Sequence, residues 1–154
     1  MTHTPATAPD DLRCPCGSGD AYGACCGRFH RRFAEDGAVT APTAEALMRS
    51  RYTAFALAST GELPQAEAYL MATWAPETRP SSLGWGDPAD ESGDAVRWVR
   101  LDVESTAGGG PFDDDGRVAF TAHARTAAGR QAQHETSRFV RRAGRWYYLD
   151  GLVS

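Results

Sequence analysis

Cys14-Pro15-Cys16-Gly17-Ser18-Gly19-Asp20-Ala21-Tyr22-Gly23-Ala24-Cys25-Cys26-Gly27 gathers every cysteine of the chain into fourteen residues. Two thiols one residue apart, then two adjacent thiols after eight intervening residues, can fold back into a closed tetrahedral cage of the kind structural zinc takes. Gly17 and Gly19 permit the positive φ angles that turn backbone N–H groups towards sulfur, and Pro15 stiffens the first pair. A short helix through Tyr22 would deliver Cys25 and Cys26, with Gly27 ending it in a left-handed cap. So glycine-rich a segment needs metal-binding energy to order. The alternatives are a disulfide pair or loose thiols, as in a secreted scaffold, and an iron–sulfur cluster. The metal ligands expected are Cys14, Cys16, Cys25 and Cys26, with Zn in a structural role.

Working outward, the first dozen residues are mostly Thr, Ala, Pro and Asp with one late Leu, and read as a disordered lead-in. Arg28-Phe29-His30-Arg31-Arg32-Phe33 reads as a basic, aromatic hinge, and residues 34–42 as a linker punctuated by Gly and Pro. The domain plan is therefore a zinc module over 12–28, a linker over 34–42 and a main domain over 43–154. With 154 residues, the chain is long enough for one domain with a real core and a small appendage. A net charge of −4 argues against nucleic acid and anionic membrane as partners. Neither a signal peptide nor a membrane span is expected, and reduced thiols suit the cytoplasm.

Thr43 caps a helix whose apolar stripe is Leu47, Met48, Tyr52, Phe55 and Ala58, and Gly61 ends it. Arg49 and Arg51 flank the stripe, either as solvated or structurally paired groups or as an anion-holding pair beside a pocket. A second helix runs from Pro64 or Gln65 to about Thr73 and turns Ala66, Tyr69, Leu70 and Trp74 inward. Residues 75–94 read as a long loop, with Trp85 plugging onto the body. From Ala95 the period becomes two. Val99, Leu101 and Val103 alternate with Trp98, Arg100 and Asp102, and Val118, Phe120, Ala122 and Ala124 form the next apolar set. Turns at Ala128-Gly129 and Ala143-Gly144 make the last three strands antiparallel neighbours. The fold class is α+β, helices first and an antiparallel sheet after.

Three tempting motifs fail. Gly108-Gly109-Gly110 lacks the lysine of a phosphate loop, Asp113-Asp114-Asp115-Gly116 lacks the spaced carboxylates of a calcium loop, and His134-Glu135 lacks the second histidine of a zinc protease. On a strand, Glu135 shares its face with Gln133, Ser137 and Phe139, away from His134. Glu135 and Ser137, opposed by Tyr52 and Trp74 and by Arg49 or Arg51, are the expected polar end of a pocket. The same glutamate could instead pair structurally with one of those arginines. In the last strand Trp146 and Tyr148 share one face and Tyr147 and Leu149 the other, so the outer face could meet a second copy.

The cysteine stretch, including Tyr22, resembles the SEC-C motif, the zinc-binding module at the C-terminus of the SecA translocation ATPase. Pro42 to Phe55, Ala72-Thr73-Trp74, His134 to Phe139 and Arg145 to Tyr148 are similar to the YchJ family of bacterial proteins. That resemblance covers nearly all of 12–151. It implies a cone-shaped domain of the nuclear transport factor two-like (NTF2-like) kind, its helices packed in the concavity of a curved antiparallel sheet. Ala75 stands where family members often carry His, and no second cysteine module closes the chain. The family implies fold and zinc, not a reaction. The expected function is a binding or adaptor role, with Arg28, Arg31 and Arg32 beside the zinc module docking a protein partner. The alternative is a small-molecule enzyme or carrier using the cone, and a third reading is a zinc cap without further function.

Overall fold

A computed structural model describes residues 10–83 and 97–153. Trp85, and the strand start expected at Ala95, lie outside the described residues. A single turn of 3₁₀-helix over Tyr22–Ala24 leads into α1 (Cys26–Asp36), followed by α2 (Ala44–Ser59) and α3 (Ala66–Ala72). Four strands then run β1 (Arg97–Gly108), β2 (Asp115–Thr126), β3 (Gly129–Arg142) and β4 (Arg145–Val153). They pair antiparallel in the order β1-β2-β3-β4, giving the expected α+β class. No helix among the described residues is long and apolar enough to cross a membrane.

Helix α2 is the axis of the molecule. Thr43 caps it, its side chain accepting from Ala46 N at 3.0 Å, and Gly61 at φ 73° reverses the chain beyond its end. Leu47, Met48, Ala54 and Leu57 are buried, and so are Ser50, Arg51 and Thr53 on other sides. The helix is thus enclosed by α1, α3 and the sheet, rather than resting on one apolar stripe. It touches β1 and β4, the two outer strands, as well as β2. In a flat sheet those outer strands would stand roughly 14 Å apart. One helix reaches both because the twisted sheet curls around it as a cone.

Bulges shape that curl. The β1 register shifts between Trp98 and Arg100 and again between Val103 and Ser105. The first shift corrects the simple alternation read from the sequence: Val99 is 49% exposed, and Trp98 packs on the core with Leu101 and Val103. Ala143 and Gly144 both take positive φ, the backbone a two-residue hairpin requires. Gly109 must be glycine, because at φ 77° a Cβ would meet that of Ala44 at 2.7 Å. Its carbonyl accepts from Ala44 N, satisfying a free donor of the α2 N-terminus.

Two expectations about the N-terminal region are corrected. Arg28 to Phe33 is no hinge but the body of α1, which continues through Ala34–Asp36 and ends at Gly37, φ 76°. Cys26, Phe29, His30 and Phe33 form its inward stripe at helical spacing. Gly27 lies inside this helix and caps nothing; its hydrogen leaves room for Tyr22 O, which a Cβ would meet at 2.6 Å. The cysteines and Tyr22 belong to the same buried cluster as Leu47, Leu101 and Trp146, so the cysteine module has no separate core.

Candidate functional site

Two groups of side chains lie against α2 and are built oppositely. At the first, the four cysteine sulfurs lie within 4.8 Å of one another. Cys16 and Cys25 Sγ are 3.6 Å apart, and Cys25 and Cys26 Sγ 4.0 Å. These spacings are far beyond a disulfide bond of about 2.05 Å. They bracket the ~3.8 Å edge of a tetrahedron with metal–sulfur bonds of about 2.3 Å. Gly17 and Gly19 take the positive φ the sequence implied, 80° and 91°. The residues therefore fit a metal ion held by thiolates.

Hydroxyl groups surround the sulfurs. Ser18 Oγ lies 3.1 Å from Cys25 Sγ, and Thr53 Oγ1 on α2 donates to Cys26 Sγ at 3.4 Å. Hydrogen bonding with Cys14 drives the Cys16 thiol well below its ordinary range, and hydrogen bonding with Cys26 draws Cys25 down to about 6. Cys14 is pushed up to about 11 by its bond with Cys16. Each shift is set by the neighbouring sulfurs, as expected of four thiols close enough to share one cation.

Around the sulfurs everything is tied down. Arg49 Nη1 donates to Cys16 O at 2.7 Å, and its Nε to Glu45 at 3.0 Å. His30 Nε2 donates to Ser50 O at 2.9 Å, so its bare Nδ1 accepts from Tyr22 Oη at 2.6 Å. Burial lowers the His30 pKa to about 4 and keeps the ring neutral. Tyr69 Oη and Ser50 Oγ, 2.7 Å apart, complete the chain.

The second group lines an opening in the cone of about 200 Å³. Its walls are aromatic, with Phe55, Trp98, Phe120 and Phe139 beside Tyr52, Trp74 and Tyr148; Arg51, Gln133, Glu135 and Ser137 supply its polar groups. Of the residues expected there, Arg51, Tyr52, Trp74, Glu135 and Ser137 line it together. Arg49 does not: it belongs to the cysteine side. The inner face of β3 runs from exposed Gln133 at the mouth to buried Ser137 and Phe139 at the floor. Ser137 Oγ donates to Glu135 Oε2 at 2.5 Å. Trp74 is fixed because the chain from Thr73 to Ala75 adds to β4: Tyr148 N donates to Thr73 O and Ala75 N to Tyr148 O, both at 2.8 Å.

Arg51 is 6% exposed, and burial lowers its pKa to about 10, so it stays cationic near neutral pH. Its Nη1 donates to Leu70 O at 2.7 Å and Thr73 Oγ1 at 2.6 Å, and its guanidinium lies 5.2 Å from the Trp74 ring centre and 4.6 Å from that of Tyr148. Among the described residues it forms no ion pair with a carboxylate. Tyr52 Oη and Trp74 Nε1 are buried without a hydrogen-bond partner among the described residues.

Sequence reasoning missed Gly151, which faces Ser137 across the β3–β4 ladder; a Cβ there would meet Glu135 Cδ at 2.6 Å. Its only signal was a lone glycine in a strand.

Residues 13–28 match the SEC-C motif, and residues 43–151 match the family described as YchJ, middle NTF2-like domain. The chain belongs to the YchJ family. It is 45% identical over 92% of its length to a UPF0225 protein of Chromobacterium violaceum, covering 93% of that protein. A UPF0225 protein of Corynebacterium efficiens is 46% identical over 94% of this chain and 95% of its own. Among solved structures, a SEC-C motif containing protein from Rhodopseudomonas palustris superposes with TM-score 0.67 at 31% identity, over 93% of this chain and 99% of that one. One from Psychrobacter arcticus gives 0.66 at 28%, over 94% and 84%.

Proposed function

We propose that this YchJ-family protein binds a small organic molecule in the cone cavity, and that one zinc ion held by Cys14, Cys16, Cys25 and Cys26 braces the fold beside it. The observation that carries the cavity reading is one opening of about 200 Å³ whose aromatic walls bring Arg51, Glu135 and Ser137 together as convergent polar groups. Four soft thiolates in one closed cage support zinc in a structural role. Reduced thiols also suit the cytoplasm.

Docking of a protein partner on the basic residues of α1 has less support. Arg31 pairs with Asp10, Arg32 with Asp36 at 3.1 Å, and Arg28 lies over Phe29. The cavity reading is tested by a ligand-observed NMR screen of small aromatic fragments against the full chain under reducing conditions. Fragments should bind, and Glu135→Gln should change the affinity of those that touch Glu135 while leaving the melting temperature of the free protein nearly unchanged. A screen without hits would remove the reading. For the metal, elemental analysis should return about one zinc per chain with four thiolates. A value near zero after metal-replete expression would defeat it.

A further inference from the structure

Resting on that cavity reading, we infer that the ligand is a small aryl carboxylate that also carries a hydroxyl or amino donor, with its carboxylate on Arg51 and its donor on Glu135. Arginine has five N–H donors, and the two on Nη1 are committed to Leu70 O and Thr73 Oγ1. Those two bonds fix the plane of the group. They leave Nε and Nη2, the side-on pair that a carboxylate engages through both oxygens, without a hydrogen bond to any described residue. A phosphate could use the same fork, but the planar carboxylate suits a slot whose walls are aromatic rings.

No carboxylate among the described residues contacts Arg51; Glu135 in the same cavity favours its charge from a distance, and the faces of Trp74 and Tyr148 offset a further part of the cost of burial. An anion arriving with the ligand adds the contact partner the fork lacks. The opposite requirement sits nearer the mouth. Glu135 accepts from Ser137 and, among the described residues, from no other side chain, and it would repel a ligand that were anionic throughout. A hydroxyl or amine at the far end of the ring answers that carboxylate. Gly151 makes the arrangement possible, since any side chain there would displace the Glu135 carboxylate.

The test uses the full chain, with para-hydroxybenzoate, para-hydroxybenzamide and para-methoxybenzoate measured by calorimetry. The acid should bind at least about tenfold tighter than the amide, which keeps shape but loses charge. Arg51→Gln should erase that gap. The methoxy compound cannot donate and should bind several-fold more weakly than the hydroxy acid, a difference Glu135→Gln should remove. Should Arg51→Gln fail to fold, the acid and amide on the unaltered protein still decide the matter. Equal binding of acid and amide overturns the carboxylate assignment and leaves the cavity reading standing. If neutral fragments bind and all three probes fail, the assignment is likewise wrong. If no fragment of either kind binds, both readings fall.

Discussion

Arg49 and Arg51 sit two residues apart on one helix and serve opposite kinds of site. Arg49 closes the cysteine side: its Nε donates to Glu45 and its Nη1 to the Cys16 carbonyl, tying α2 to the cysteine loop. Arg51 is deeper, yet half of its hydrogen-bonding edge is unused and its neighbours Tyr52 and Trp74 hold polar atoms without partners. A satisfied network specifies structure, whereas an unsatisfied one beside an open volume is where a molecule can be received. The cysteine side is therefore read as architecture and the cavity as the working surface.

The largest effect should come from breaking the closed side. Structural zinc contributes apparent binding energies of about 10–16 kcal/mol in small domains. Because the cysteines share one core with Leu47 and Trp146, chelation or Cys26→Ser should unfold the whole chain in a single transition. Circular dichroism and near-ultraviolet signals of the sheet aromatics should fall together. A module that melts while the cone stays folded would contradict the shared core.

The arginines offer the sharpest contrast. Arg49→Met strands the Cys16 carbonyl and should cost about 1–3 kcal/mol in urea denaturation. Arg51→Met should cost less than Arg49→Met or raise stability, since it removes a buried cation that no carboxylate contacts among the described residues, and that relief offsets the two hydrogen bonds lost at Leu70 O and Thr73 Oγ1. Equal losses at the two positions would dissolve the distinction between the sites.

The relation between sequence and structure turns on the same pair. Residues two apart on an α-helix point about 200° away from each other, so only one arginine could face the cavity, and spacing alone could not say which. The faces of β2 and β3 were legible because period two survives there, and with them Glu135 and Ser137, whereas β4 loses it where the pairing steps from Asp150 to Tyr148 opposite Arg138 and Phe139. Trp98 was misplaced because a bulge adds a residue without altering composition. Helix α1 was missed because its stripe is built from a cysteine, a histidine and two phenylalanines among arginines, and no side chain caps its start. The cysteine cage needed only spacing and glycine, so its four residues were readable without any fold.

Acid should weaken the closed side selectively. His30 is held neutral in the fold, with a pKa of about 4 against an ordinary 6.5, so between those values the unfolded chain binds the extra proton. Its contribution is complete above pH 6.5 and is lost as pH falls towards 4, about 3 kcal/mol in all. Urea denaturation between pH 7.5 and pH 5 should show this slope, and the difference between native protein and His30→Asn should isolate it from thiolate protonation. A variant with the same slope would exclude His30 as the source.

Gly151→Ala is the mildest change. Glu135 is a flexible side chain and can move aside, so stability should shift by no more than about 1 kcal/mol, while crystallography should find the Glu135 carboxylate turned away from Ser137.

The two indoles provide the most direct test of an open cavity beside a closed one. Trp146 Nε1 donates to Pro42 O at 3.1 Å in the packed core, whereas Trp74 Nε1 has no partner. When the tightest fragment is titrated into the full chain, the indole N–H resonance of Trp74 should move and that of Trp146 should stay in place. Saturable binding that leaves the Trp74 resonance unmoved would contradict the account.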